Sequence, residues 1–151
     1  MRRVIFKVVM MIFWGTLPLY ASGPDNKQAD QQAIDALTVR ASQAQPREQC
    51  FLYAQLVHQL TDMSTQQYAA GDVDQASQML KRIQGLAHQI HLSLNDNGKR
   101  LKNAQILLRQ AAYRLTGLLH SSSAEDQPLV AETLASVNKA QTEAMMQVFR
   151  K

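Results

Sequence analysis

From Pro46 onward, apolar side chains return every three or four residues, and that spacing suits only a helical backbone. Tyr53, Leu56, Val57, Leu60 and Met63 fall on one face between Pro46 and Ala70, because a helix brings positions three and four apart together. Gly71 stops that helix, and Asp72 is placed to cap the next. The second stripe runs through Ala76, Met79, Leu80, Ile83, Leu86, Ala87, Ile90 and Leu94. Two long stripes joined by so short a turn predict an antiparallel hairpin.

Asn95, Asp96, Asn97 and Gly98 form a turn-prone cluster, with Gly98 suited to a left-handed conformation. Beyond it, Leu101, Ala104, Leu108, Ala111, Ala112, Leu115, Leu118 and Leu119 draw a third stripe that ends at Ser121, Ser122 and Ser123. A fourth joins Val130, Leu134, Val137, Ala144, Met145 and Val148, with Pro128 in its first turn. No stretch alternates as a strand would. The chain therefore reads as all-α, an up-and-down antiparallel bundle of about four helices. The rival is two helical hairpins sharing one long central helix, since the spacing 90, 94, 97, 101, 104 and 108 can be drawn straight through. That helix would carry Gly98 inside it, at about 1 kcal/mol relative to Ala, and the break at 95–98 is favoured.

The segment before Pro46 is different in kind. Arg2, Arg3 and Lys7 precede an apolar run from Val8 to Leu19, and Ala21 ends a stretch of small-residue cleavage chemistry. The run is shorter than the roughly 20 apolar residues that span a bilayer and contains Gly15 and Pro18. Residues 1–21 are expected to be a signal peptide, and the protein to be exported to a periplasmic or extracellular space. Residues 22–45 are polar, with a weak apolar spacing of Ala29, Ala33, Ile34, Leu37 and Ala41 that fits a short helix or a mobile arm. Residues 46–150 form the expected helical bundle.

Losing Arg2, Arg3 and Lys7 with no acid takes the formal net charge from +4 to +1. Net charge thus offers no warrant for nucleic-acid binding. Trp14 also leaves with the leader, so the core must come from Leu, Ile, Val, Met and Ala, which suits helix packing. Cys50 is the sole cysteine and has no internal disulfide partner; a small buried side chain is its expected role.

His88 and His91, three apart on one helix, are the sharpest hint of chemistry. No nearby acid or cysteine in the sequence completes a ligand set, and structural zinc takes four ligands. A metal-binding protein using His88 and His91, helped by His58 or His120, is the alternative functional reading. His58 and Asp62, one turn apart, could orient an imidazole for base catalysis, but their plainer reading is a surface pair. Haem attachment, di-metal carboxylate and phosphate-loop motifs are absent. No catalytic residue and no cofactor is expected.

Charge is segregated. Between Lys81 and Arg114 lie Lys81, Arg82, Lys99, Arg100, Lys102, Arg109 and Arg114 against the single acid Asp96. Such a segment either solvates the bundle or meets an anionic partner: a lipid head group, an envelope polysaccharide or an acidic protein face. Lys99, Arg100, Lys102 and Arg109 are the expected contact residues.

Two resemblances accompany this reading. Residues 68–76, Tyr-Ala-Ala-Gly-Asp-Val-Asp-Gln-Ala, resemble the inter-helix turn of a tetratricopeptide repeat, with no second copy at the repeat's period. The stretch from Cys50 to Phe149, with Cys-Phe-Leu-Tyr-Ala-Gln-Leu-Val-His at its start and Lys-Arg-Leu-Lys-Asn-Ala at 99–104, resembles a family of uncharacterised exported helical proteins of soil bacteria. That resemblance implies an exported, all-helical fold and no assigned activity. The expected function is a non-enzymatic binding or scaffolding protein of the cell envelope.

Overall fold

Five helices account for nearly all of the chain that the computed structural model describes, residues 24–94 and 100–150. They are α1 (Pro24–Gln43), α2 (Pro46–Ala69), α3 (Val73–Ser93), α4 (Leu101–Ser121) and α5 (Gln127–Phe149). The expected leader at 1–21 lies outside the described residues. No described helix is long and apolar enough to cross a membrane.

Local chemistry sets the helix ends. Pro46 opens α2 at a position where its missing N–H costs nothing, and the Gln45 carbonyl accepts from Glu48 and Gln49. At the other end Gly71 takes φ +80°. This lets its N–H donate to Tyr68 O at 3.1 Å while Asp72 N donates to Gln67 O at 2.9 Å, the paired bonds of a Schellman cap. Asp72 then starts α3, its Oδ1 accepting from Gln75 N at 3.3 Å. Two residues thus end one helix and begin the next, as the sequence led one to expect.

Pairs between helices give their directions. Arg100, just before α4, places its guanidinium 3.6 Å from the centre of the Phe51 ring near the start of α2. Further along both helices Arg114 pairs with Asp62, so α2 and α4 run parallel. Gln84 donates to Thr133 at 3.0 Å and His91 meets Glu143 at 2.8 Å, so α3 and α5 are parallel too. Each hairpin, α2–α3 and α4–α5, is antiparallel within itself, and the two lie side by side in a ring ordered α2, α3, α5, α4. Helices α3 and α4 lie diagonally across the bundle.

The helical bundle is therefore present, with five helices rather than about four. The long central helix is not. Helix α3 ends at Ser93 and α4 begins at Leu101, and the two run in opposite senses against α2, so the chain reverses between them. Asn95 to Lys99 lie outside the described residues. Residues 22–45, expected as a polar arm or short helix, contribute the twenty-residue α1, which packs on α2.

The core runs through all five helices, with Leu56, Leu60, Leu80, Ile83, Ile90, Leu108, Leu115, Val130 and Val137 fully enclosed. Burial of each such side chain contributes about 1.5–3 kcal/mol. In α3 and α4 the buried residues are those of the predicted stripes. Helix α2 exceeds its stripe: Cys50, Phe51, Leu52, Ala54, Thr61, Ser64 and Gln67 are buried as well, because α1, α3 and α4 surround it. Its buried hydroxyls are satisfied locally, Thr61 donating to Val57 O at 2.8 Å and Ser64 to Thr61 O at 2.9 Å. Helix α1 closes this side with fully buried Ile34 and Ala41, and with polar ties from Lys27 to Gln67 and from Arg82 to Thr38.

Candidate binding face and histidine sites

The basic segment is contiguous in sequence but dispersed in space. Arg82 donates to Thr38 Oγ1 at 2.7 Å and ties α3 to α1. Arg114 is paired with Asp62 across α2 and α4. Arg100 adopts φ 64° before α4 and lies over the Phe51 ring, where cation–π attraction holds it. Lys81 stands exposed on α3, and Lys99 is outside the described residues.

Of the four expected contact residues, Lys102 and Arg109 remain exposed on α4 with no acidic partner among the described residues. Seven residues apart, they lie two turns along one face, about 10 Å from each other by helical rise. The same face continues through Tyr113, 82 % exposed, to the exposed His120. Tyr113 and His120 were missed as contact candidates although the spacing 102, 109, 113 and 120 marks a single stripe. Gly117 is beside Tyr113 on this face, and the space around it is open.

His58 belongs to a structural junction. Its Nδ1 is 3.7 Å from Asp62, whose other oxygen takes the Arg114 guanidinium. Burial and the Arg114 charge both hold the imidazole below its ordinary 6.5. Cys50 is buried and free, and burial pushes its thiol up to about 11, so little thiolate forms near neutrality. At the opposite end of the bundle, burial and the neighbouring Asp126 raise the Tyr68 phenol, while Asp126 is held low by the Ser123 hydroxyl, which donates to it at 2.6 Å.

The histidine pair has a different setting from the one the sequence suggested. His88 and His91 are exposed on α3, with ring centres 6.2 Å apart. Their local sequence holds no acid, yet Glu143 arrives from α5 and its Oε2 lies 2.8 Å from His91 Nδ1. The parallel packing of α3 and α5 supplies this carboxylate from 52 residues away, a distance at which spacing carries no signal. His58 and His120 do not join the pair: the first faces α4 and the second is at the C-terminal end of α4. No group of three His, Cys, Asp or Glu residues is arranged to hold a metal ion among the described residues.

Beside His91 and Glu143 opens a cleft of about 550 Å³, lined also by Leu94, Met145, Met146 and Phe149. Phe149 is 79 % exposed and Met146 57 %, an apolar surface at the C-terminal turns of α3 and α5.

No family model, curated protein or solved structure matches the chain. Neither resemblance noted in the sequence therefore transfers a residue role.

Proposed function

We propose that the chain is an exported, non-enzymatic helical protein that acts by binding an anionic component of the cell envelope, with the outer face of α4 as its contact surface. The observation that carries this reading is the stripe of Lys102, Arg109 and Tyr113, exposed together, with neither cation paired to an acid among the described residues. Three other cations of the same basic segment, Arg82, Arg100 and Arg114, are held by contacts within the molecule. Two uncommitted cations spaced along one helix attract a partner carrying serial negative charge, and a tyrosine among them adds an amphipathic contact of large area. Export rests on the leader-like residues 1–21.

Alanine at Lys102 and Arg109 tests the assignment. Co-purifying partners and association with the envelope fraction are expected to fall in the variant. Unchanged recovery of both would remove α4 as the contact surface.

A further inference from the structure

Given the α4 face as the contact surface, on which this proposal rests, we infer that its partner is a linear anionic polysaccharide. The acidic groups of that chain meet Lys102 and Arg109, and one of its sugar rings lies against Tyr113.

The charge on this face has one sign and lies in a line. Helix α4 contains no Asp or Glu from Leu101 to Ser121. At the helical repeat, Lys102, Arg109, Tyr113 and His120 fall within about 40° of one another around the axis, and the line from Lys102 to His120 is about 27 Å long. That shape suits an extended chain with repeated negative charge. The face is also not apolar. Leu108, Leu115 and Leu118 are buried with Ala104, Ala111 and Ala112, which leaves Tyr113 as the one large apolar side chain exposed on α4. A helix that lies in a lipid surface presents a continuous apolar face, and a stable protein interface has an apolar centre. One tyrosine supplies neither.

The ring of Tyr113 is uncovered where packing does not require it. A helical side chain leans over the turn that precedes it, so the residue one turn after Tyr113 decides how open the ring is. That residue is Gly117, and a Cβ there would meet nothing within 4 Å. Glycine is among the poorest residues inside a helix, and no close approach of another segment demands it here. Its consequence is an aromatic face open to a ligand, in line with two cations. The C–H groups on one face of a sugar ring carry slight positive charge and match the negative face of the tyrosine, while carboxylates or phosphates on the same chain meet the cations.

The test titrates the purified protein with polygalacturonate and with three probes that each lack a feature of it: neutral dextran, sugar-free poly-glutamate and vesicles of anionic lipid. Polygalacturonate is expected to bind the tightest of the four. Tyr113→Ala is expected to weaken it about three- to tenfold, whereas Tyr113→Phe keeps the ring and binds as the wild type does. Gly117→Gln is expected to raise the thermal midpoint and yet to weaken polygalacturonate as much as Tyr113→Ala. Gly85→Gln on α3, where the space is equally open, should raise the midpoint and leave binding unchanged. Full affinity in Tyr113→Ala or in Gly117→Gln would overturn the proposal. Tighter binding of vesicles or poly-glutamate, abolished by Lys102→Glu/Arg109→Glu, would overturn it while leaving α4 as the contact surface. Binding of none of the four probes would overturn both.

Discussion

The two hairpins of this bundle are built alike and finished differently. Hairpin α2–α3 is covered by α1, so α2 is buried on the sides facing α1, α3 and α4. Hairpin α4–α5 has no such cover among the described residues: α4 buries one stripe of six residues, and Tyr113, Met145, Met146 and Phe149 remain exposed. A helix enclosed on three sides is committed to stability. A helix enclosed on one or two sides keeps a surface for something else, and the α4 stripe is such a surface on the uncovered hairpin.

The largest expected contrast is between a core position and that open surface. Leu80→Ala removes a fully enclosed side chain and is expected to cost about 2–5 kcal/mol, whereas Tyr113→Ala should stay within about 0.5 kcal/mol. Urea denaturation midpoints at constant slope give both values. A loss of comparable size in the two variants would mean that α4 is not an open face.

The covering helix can be tested next. Ile34 is the principal apolar anchor of α1, and Ile34→Ala is expected to cost about 2 kcal/mol. Hydrogen exchange should speed up in α1 and on the facing side of α2 while α4 and α5 keep their protection. Uniform acceleration would show that the cover and the second hairpin form one cooperative unit.

Gly71→Ala comes third. A side chain at φ +80° is strained even where space is open, and the expected loss is about 1–2 kcal/mol, measured by thermal or urea unfolding. Retained stability would mean that the cap between α2 and α3 relaxes without consequence.

The smallest effect is on pH dependence and concerns the seam between the hairpins. Because His58 is held below 6.5 in the folded state, the unfolded chain takes up a proton that the folded chain resists. Its contribution to stability is complete above that ordinary value and declines as pH falls through the folded one. Wild-type melting temperature should drop between about pH 7.5 and about pH 5.5 more than that of His58→Gln. Equal drops would remove His58 from the seam's energetics.

Much of this arrangement is legible in the sequence, and what is not has a physical cause. The buried residues of α3 and α4 follow from periodicity alone, because each of those helices presents one face to the core. Periodicity fails for α2, where Thr61, Ser64 and Gln67 are buried because three helices, α1, α3 and α4, pack against it. In α1 the weak spacing does name the buried Ile34 and Ala41, but the two polar ties that also hold this helix leave no mark in it. At the site level, the exposed stripe 102, 109, 113 and 120 was readable from spacing. The Glu143 contact to His91 was not, since it depends on the second hairpin lying parallel to the first. Nothing in the linear order announces Phe51 and Asp62 as the partners of Arg100 and Arg114.

The most direct measurement reverses charge on the open hairpin and on the covered one, and compares the two. Binding to an anionic polysaccharide and, separately, to vesicles of anionic lipid is titrated for the wild type, for Lys102→Glu/Arg109→Glu on α4, and for Lys81→Glu on α3. At about 1 kcal/mol per surface cation, removal of the α4 pair alone should weaken binding to one of these probes by more than about tenfold, with the effect shrinking as salt rises. The α3 reversal should leave affinity near that of the wild type. Equal losses from both reversals, or no binding to either probe by the wild type at low salt, would contradict the assignment of the uncovered α4 face as the place where this protein meets its partner.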